Sequence, residues 1–267
     1  MTYPFLLGHG TENDFVLLPD HDGSVHGDLD ADRVRALCDR RAGLGGDGVL
    51  RVVRSAALGL DGPEWFMDYR NADGGTSEMC GNGIRVFARH LVEEGLVRLP
   101  VEIGTRDGVK TVHGDGDLLT VDLGSPRTLG ETKVGVSERA WPALHVDMGN
   151  PHAVAFVDDL ADAGDLLAPP EHDREVYPRG VNVEFVVRRG DRHVAMRVHE
   201  RGAGETRSCG TGAAAVMVAS ALADGVDRPV TYRVDVPGGE LAVTWTTDDR
   251  VLLTGPAVVV ARGTTDL

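Results

Sequence analysis

The sequence predicts an α+β protein of two pseudo-symmetric halves. Each half is a curved β-sheet or barrel wrapped around a central helix, with the active site in the cleft between the halves. Three observations predict this. A Cys-Gly-polar-Gly elbow running into an apolar helical pattern occurs twice, as Glu78-Met79-Cys80-Gly81-Asn82-Gly83-Ile84-Arg85 and as Arg207-Ser208-Cys209-Gly210-Thr211-Gly212-Ala213-Ala214. The offset of 129 residues extends beyond the elbows, because Pro100-Val101 matches Pro229-Val230 and Asn71 matches Glu200. Each half also closes with a similar strand and Gly/Pro stop, over residues 118–126 and 251–256. A two-copy repeat makes each half one structural unit and brings what they share to their interface. The predicted halves are residues 1–124 and 125–254, with a last strand at 255–267 packing back onto the first half.

The elements follow in order. Residues 15–18 read as a strand after the opening His9-Gly10-Thr11-Glu12-Asn13-Asp14. Residues 31–41 read as a helix, with Val34, Leu37 and Cys38 at helical spacing and Gly43 as its stop. Cys38 lies on the apolar face, where a thiol serves packing. Gly43-Leu44-Gly45-Gly46-Asp47-Gly48 matches the letters of a dinucleotide fingerprint, yet it follows a helix and enters a strand. A phosphate loop needs the opposite polarity, so this is a tight helix-to-strand loop. Residues 65–70 read as a strand ending in the turn Asn71-Ala72-Asp73-Gly74. After Cys80, the stripe Ile84, Phe87, Ala88, Leu91 and Val92 marks a helix that Gly95 ends. Residues 213–223 are apolar nearly all round, which marks an enclosed helix. The polar stretch 125–141 includes the connection between halves, and 161–179, rich in Asp, Glu and Pro, reads as a surface excursion.

Composition narrows the function. The 267 residues are 42% hydrophobic and 26% charged, ordinary values for a soluble globular enzyme. A formal charge of −15 argues against nucleic acid or an anionic membrane as partner. The only lysines are Lys110, in a polar turn-strand segment, and Lys133, in a polar loop. Neither suits a pyridoxal phosphate Schiff base, which needs a buried lysine. Chemistry without cofactor or metal on a small molecule is therefore expected. The first residues lack the basic start and apolar run of a signal peptide, and no run reaches membrane-spanning length. Three cysteines leave one unpaired in any disulfide scheme, so a cytoplasmic protein with free thiols is expected.

A cysteine just before a helix, followed by Gly-x-Gly, has three consequences. The glycines let the backbone approach a ligand with N–H groups pointing forward. The helix dipole favours an anion there, a carboxylate included. The same field favours the thiolate. Two such ends facing each other would hold one carboxylate between them, with a sulfur on each side of the carbon attached to it. That geometry suits removal of a proton from one face and delivery to the other.

The chain resembles diaminopimelate epimerases, cofactor-independent enzymes of lysine and peptidoglycan biosynthesis, over essentially its whole length. The resemblance rests on Gly10-Thr11-Glu12-Asn13-Asp14-Phe15, Asn71-Ala72-Asp73-Gly74, Met79-Cys80-Gly81-Asn82-Gly83, Met148-Gly149-Asn150-Pro151-His152, Val181-Asn182-Val183-Glu184-Phe185, Glu200-Arg201-Gly202-Ala203-Gly204-Glu205-Thr206 and Ser208-Cys209-Gly210-Thr211-Gly212. It implies interconversion of LL- and meso-2,6-diaminopimelate, with Cys80 and Cys209 as the two acid/base residues. Gly81, Asn82, Gly210 and Thr211 would hold the reacting carboxylate through backbone N–H groups. His152 and Glu200 would assist proton exchange at the thiols. Asn13, Asn71, Asn150, Asn182 and Arg201 would read the distal amino-acid end, which needs acceptors for an ammonium and a planar donor for a carboxylate. Glu205 reads as a loop or capping residue. Some members of the family carry an amide where this chain has Gly48. The resemblance also points to a homodimer.

A racemase of histidine, proline or hydroxyproline on the same fold is the alternative. The proline type has no use for the distal amides and Arg201, whereas a histidine type differs by fewer changes. A cysteine hydrolase using Cys80 or Cys209 with His152 leaves the duplicated cysteine unexplained. An amino-acid binding module would be indifferent to Cys→Ser changes.

Overall fold

A computed structural model of the chain describes residues 2–267. The chain divides into two compact units. One runs up to Val121 and is taken up again by Gly255–Leu267, and the other is Asp122–Thr254.

The first unit holds β1 (Tyr3–Gly10), β2 (Asn13–Pro19), α1 (Ala31–Cys38), β3 (Gly48–Arg54), β4 (Trp65–Asn71), α2 (Gly81–Glu93), β5 (Val101–Thr105), β6 (Gly108–Asp115) and β7 (Leu118–Asp122). The C-terminal strand Val258–Thr265 lies antiparallel to β1, and β1 to β2. β2 and β3 are parallel, β3 and β4 antiparallel, β4 and β5 parallel, and β5, β6 and β7 form an antiparallel meander. Parallel neighbours need a crossover connection, and helices supply it here, α1 between β2 and β3 and α2 between β4 and β5. The stripe Ile84, Phe87, Ala88 and Leu91 is fully buried, and α2 packs on β1, β2, β3, β4, β6 and the C-terminal strand. Among the described residues no pairing joins β7 to the C-terminal strand. The predicted sheet is therefore present without closing into the barrel given as its other form.

The second unit repeats the pattern with β8 (Arg127–Val136), β9 (Arg139–Asp147), β10 (Pro151–Phe156), β11 (Glu171–His172), β12 (Asn182–Gly190), β13 (His193–Glu200), β14 (Gly204–Thr206), α3 (Gly210–Asp224), β15 (Val230–Val236), β16 (Gly239–Trp245) and β17 (Val251–Pro256). β8, β9 and β10 are antiparallel, β10 and β12 parallel, β12 and β13 antiparallel, β13 and β15 parallel, and β15 to β17 a meander. This is the strand sequence of the first unit, from β1 to β7 with its C-terminal strand, in the same order of parallel and antiparallel steps. α3 is its crossover helix, packed on β9, β10, β12, β13, β15 and β16. Enclosure on so many sides is what its all-round apolar surface requires.

Three local expectations change. Most of residues 125–141 form β8 and the start of β9, so Lys133 stands exposed on a strand and not in a loop. The mostly exposed β8 reads as polar because its outward residues face water, while Val134 and Gly135 are buried on it. Residues 161–179 do run over the surface, yet Ala163, Leu166 and Tyr177 turn inward and pack with Phe185 in the core. α1 ends at Cys38, three residues early, because Asp39 caps its carboxyl end and then accepts from the N–H groups of Arg41 and Ala42 at 2.7 Å. Among the described residues no helix is long and apolar enough to cross a membrane.

Candidate active site

Each crossover helix begins at a cysteine. β4 ends at Asn71 and β13 at Glu200, and the chain then turns into α2 or α3 with Cys80 or Cys209 as N-cap. Both cap residues are extended, with φ of −139° and −121°. Each sulfur accepts the N–H of the third helical residue, Gly83 or Gly212, at 3.3 Å. Each cysteine carbonyl accepts the next N–H, from Ile84 or Ala213, at 2.9 Å. The first N–H groups of a helix lie beyond its own i−4 ladder, so those of Gly81 and of Gly210 and Thr211 point forward from the helix starts. The macrodipole makes such an end attractive to a carboxylate.

In the first unit, Asn13 and Asn82 gather at Cys80. The thiol donates to Asn13 Oδ1 at 3.7 Å, and Asn82 Nδ2 donates to the same oxygen at 3.1 Å. Asn13 Nδ2 in turn donates to Asp47 Oδ2 at 2.7 Å. Burial, then the neighbouring Asp14 carboxylate, holds Asp47 above the usual carboxylate range. Asn71 is half-buried in the adjoining turn, where its N–H donates to the Gly75 carbonyl at 2.8 Å. The glycine at 48 has a packing cause: a Cβ there would stand 2.5 Å from the Arg70 carbonyl and 2.6 Å from the Tyr69 ring. No amide side chain fits that spot without moving β4.

In the second unit, His152 and Glu184 are both fully buried. His152 Nδ1 lies 2.6 Å from Glu184 Oε1, and Nε2 lies 2.9 Å from Asn150 Oδ1. A Cβ on Gly212 would stand 2.8 Å from Glu184 Oε1 and 3.3 Å from Cys209 Sγ, so this carboxylate sits directly against the helix start. Cys209 is buried, and its hydroxyl neighbour Thr211 Oγ1 is at 3.6 Å. Burial, then the carboxylates of Glu200 and Glu184, pushes the Cys209 thiol well above its ordinary value. Glu200 accepts a short hydrogen bond from Thr206. Asn182 spends its amide on backbone, donating to the Pro151 carbonyl at 3.3 Å and accepting from Arg201 N–H at 2.9 Å. The Arg201 side chain is exposed and lies over Gly180, where a Cβ would stand 3.3 Å from its Cγ and Cδ. Glu205 pairs with Arg197 through both oxygens, at 2.6 and 2.9 Å, and takes no part in the cap.

Among the described residues no group of three or more His, Cys, Asp or Glu side chains is arranged to hold a metal. Cys80, Asn13, Gly81 and Asn82 thus come together in one unit, and Cys209, Gly210, Thr211, His152, Glu200, Asn150, Asn182 and Arg201 belong to the other. Sequence reasoning passed over Glu184, Asp47 and Arg85. Glu184 had a usable signal, being an acid two residues after Asn182, hence on the same face, and flanked by Val183, Phe185, Val186 and Val187.

The family model for diaminopimelate epimerase matches residues 5–129 and 144–260. The chain belongs to the diaminopimelate epimerase family. It is 60% identical to the diaminopimelate epimerase of Streptomyces coelicolor, over 98% of this chain and 95% of that one. It is 50% identical to the enzyme of the same name from Thermobifida fusca, over 97% and 96%. Among solved structures, the fold is shared with a PhzF-family phenazine biosynthesis protein of Bacillus anthracis, at a TM-score of 0.76 and 16% identity over the whole of both chains. It is shared also with a hydroxyproline epimerase of Agrobacterium vitis, at a TM-score of 0.71 and 15% identity, covering 99% of this chain and 92% of that one. Both caps lie inside the matched segments of the family model.

Proposed function

We propose that the chain is an isomerase that interconverts LL- and meso-2,6-diaminopimelate by two-thiol proton transfer, a step of lysine and peptidoglycan precursor synthesis. The observation that carries this reading is one cap built twice, a cysteine sulfur held at 3.3 Å by a glycine N–H at the start of each crossover helix. In this reading Cys80 and Cys209 flank the α-carbon, and the α-carboxylate sits on the N–H groups of Gly81, Asn82, Gly210 and Thr211. One thiolate takes the α-proton: the C–H bond breaks, an S–H bond forms, and the electron pair stays on the substrate. The carboxylate spreads that charge onto oxygen, where the helix ends stabilise it. The opposite thiol then gives its proton to the other face and is left as thiolate. Protons and charge balance with no oxidant, reductant or cofactor.

His152 and Glu200 serve proton exchange at Cys209, a thiol that burial otherwise keeps protonated. Asn13, Asn71, Asn150, Asn182 and Arg201 read the distal amino-acid end. This reading places the enzyme in the cytoplasm as a homodimer.

The test is proton NMR of LL-diaminopimelate with the protein in D2O, beside a Cys80→Ala control. Loss of the α-proton signal with appearance of the meso isomer, both absent in the control, supports the reading. Exchange of L-histidine or L-proline in its place leaves the two thiols standing and refutes the distal-end assignment. No exchange of any amino acid under reducing conditions refutes the whole.

A further inference from the structure

α2 carries a charged group with no part in the scheme above. Arg85 is fully buried. Its Nη1 donates to the Gly81 carbonyl at 3.1 Å and its Nη2 to Asn82 Oδ1 at 3.0 Å. Nε is buried without a hydrogen-bond partner. Taking a guanidinium out of water costs several kcal/mol unless an opposite charge answers it, and among the described residues no carboxylate pairs with Arg85. Burial pulls its titration down to about 10, and the one ionisable group acting against that pull is Cys80.

The hydrogen bonds around it run in one direction. A guanidinium only donates, so Asn82 must turn Oδ1 toward Arg85 and Nδ2 toward Asn13. Asn13 must then present Oδ1 to Asn82 and to the Cys80 thiol, which leaves its Nδ2 for Asp47. The remaining charged groups of this corner are already answered or solvated. Arg40 binds Asp14 at 2.7 and 2.8 Å and Asp47 at 2.8 Å. Glu12 and Glu78 are exposed, and His9 Nδ1 accepts the Glu12 N–H. The second copy has Ala214 at the position matching Arg85.

We propose that Arg85 is a positioning residue for proton transfer at Cys80: it supplies the buried positive charge that a Cys80 thiolate neutralises, while the Asn82 and Asn13 amides it orients present Asn13 Oδ1 as the acceptor for the proton when Cys80 is a thiol. This rests on the two-thiol reading above, with Cys80 as the thiolate of the resting enzyme. The charge acts across the first turn of α2, alongside the helix dipole.

The experiment titrates Cys80 directly, as the rate of iodoacetamide alkylation against pH in a Cys209→Ala protein, followed by mass spectrometry. Cys38 does not compete, because burial pushes its thiol to about 12. In Arg85→Met the Cys80 midpoint is expected to rise by about one unit or more, roughly a tenfold loss of reactivity at neutral pH. Arg85→Lys, which keeps the charge, is expected to bring most of it back. A folded Arg85→Met protein with an unmoved midpoint would overturn the proposal, since a merely structural arginine leaves thiol titration alone. Should Arg85→Met not fold, Arg85→Gln takes its place, removing the charge while keeping an amide donor toward Asn82. The Cys80 midpoint must then rise as well, and an unchanged or lowered one overturns the proposal. Alkylation does not depend on turnover, so failure of the two-thiol reading shows separately, as unchanged α-proton exchange in Cys80→Ala.

Discussion

Replacing Glu184 with Gln removes one negative charge beside Cys209 and keeps the shape of the side chain. Glu184 Oε1 and Cys209 Sγ lie 2.8 and 3.3 Å from the point where a Cβ on Gly212 would stand. The two atoms are therefore at most about 6 Å apart, and at an effective dielectric of about 20 two unit charges at that distance interact by about 2.8 kcal/mol. That corresponds to about two units of thiol titration. A carboxylate disfavours the thiolate, so its removal lowers the Cys209 midpoint, although burial and Glu200 continue to hold it up. A proton on His152, 2.6 Å from Glu184 Oε1, would cancel part of the charge, so the expected fall is about one to two units. The assay is alkylation of Cys209 against pH in a Cys80→Ala protein, with and without Glu184→Gln. Urea unfolding should report a loss of about 1 to 2 kcal/mol, as a charge-assisted bond to His152 becomes neutral. A Cys209 midpoint that stays put or rises in a folded variant would refute the electrostatic reasoning.

Gly212→Ala drives a methyl group to 2.8 Å from Glu184 Oε1. It should lower kcat and cost about 1–3 kcal/mol in urea unfolding. Gly83→Ala meets its neighbours only at 3.3 Å or beyond and should cost less. Cys38 titrates near 12 in the fold, against about 9 for the free thiol. Between those values the unfolded chain ionises and the folded one does not, so stability falls by about 1.4 kcal/mol per pH unit. Cys38→Ala should flatten that part of the alkaline slope in urea titrations from pH 8 to 11, within the reach of the other groups that titrate there. At the acid end, His90 is depressed to about 4 by burial. The unfolded chain takes up a proton first, and stability is lost as pH falls from about 6.5 toward 4, again at about 1.4 kcal/mol per unit. His90→Leu should reduce that slope, measured as the urea midpoint against pH.

The repeat was legible because backbone demands force it into the sequence. Both crossover helices need a cap, a Gly-x-Gly start and an apolar face, and these leave the matched strings around Cys80 and Cys209. Strands on the outside of the sheet were harder to read. β8 shows few buried residues, and its polar outer surface has the composition of a loop. The candidate site was legible where a residue's type names its chemistry, as with the cysteines, His152 and the asparagines. It was illegible where a side chain acts through another. Arg85 lies inside an apolar helix pattern, where a single Arg reads as a surface residue, and only its complete burial exposes the difference. Asp47 sits in a glycine loop whose letters invite a phosphate reading, while its carboxylate in fact orients Asn13.

The two copies agree in backbone and disagree in charge, and the disagreement is confined to a few matched positions. Against the third residue of α2, the Gly83 position meets Leu50, while against α3 the Gly212 position meets Glu184. Leu50 and Glu184 occupy corresponding places on β3 and β12, each the third residue of its strand beside the central helix. Asn71 ends β4 where Glu200 ends β13, and Arg85 stands in α2 where α3 has Ala214. Both helix dipoles favour a thiolate to the same degree, by about 0.3–1 kcal/mol at an ordinary site. Against that equal background, the first unit adds a buried cation and the second adds two carboxylates. At the interaction strength worked out for Glu184, that charge outweighs the dipole. A two-base enzyme has to begin with one thiolate and one thiol, and two identical caps would leave the proton shared between them. Under the two-thiol reading proposed above, the changes at Leu50/Glu184, Asn71/Glu200 and Arg85/Ala214 would favour Cys80 as the resting base and Cys209 as the resting acid.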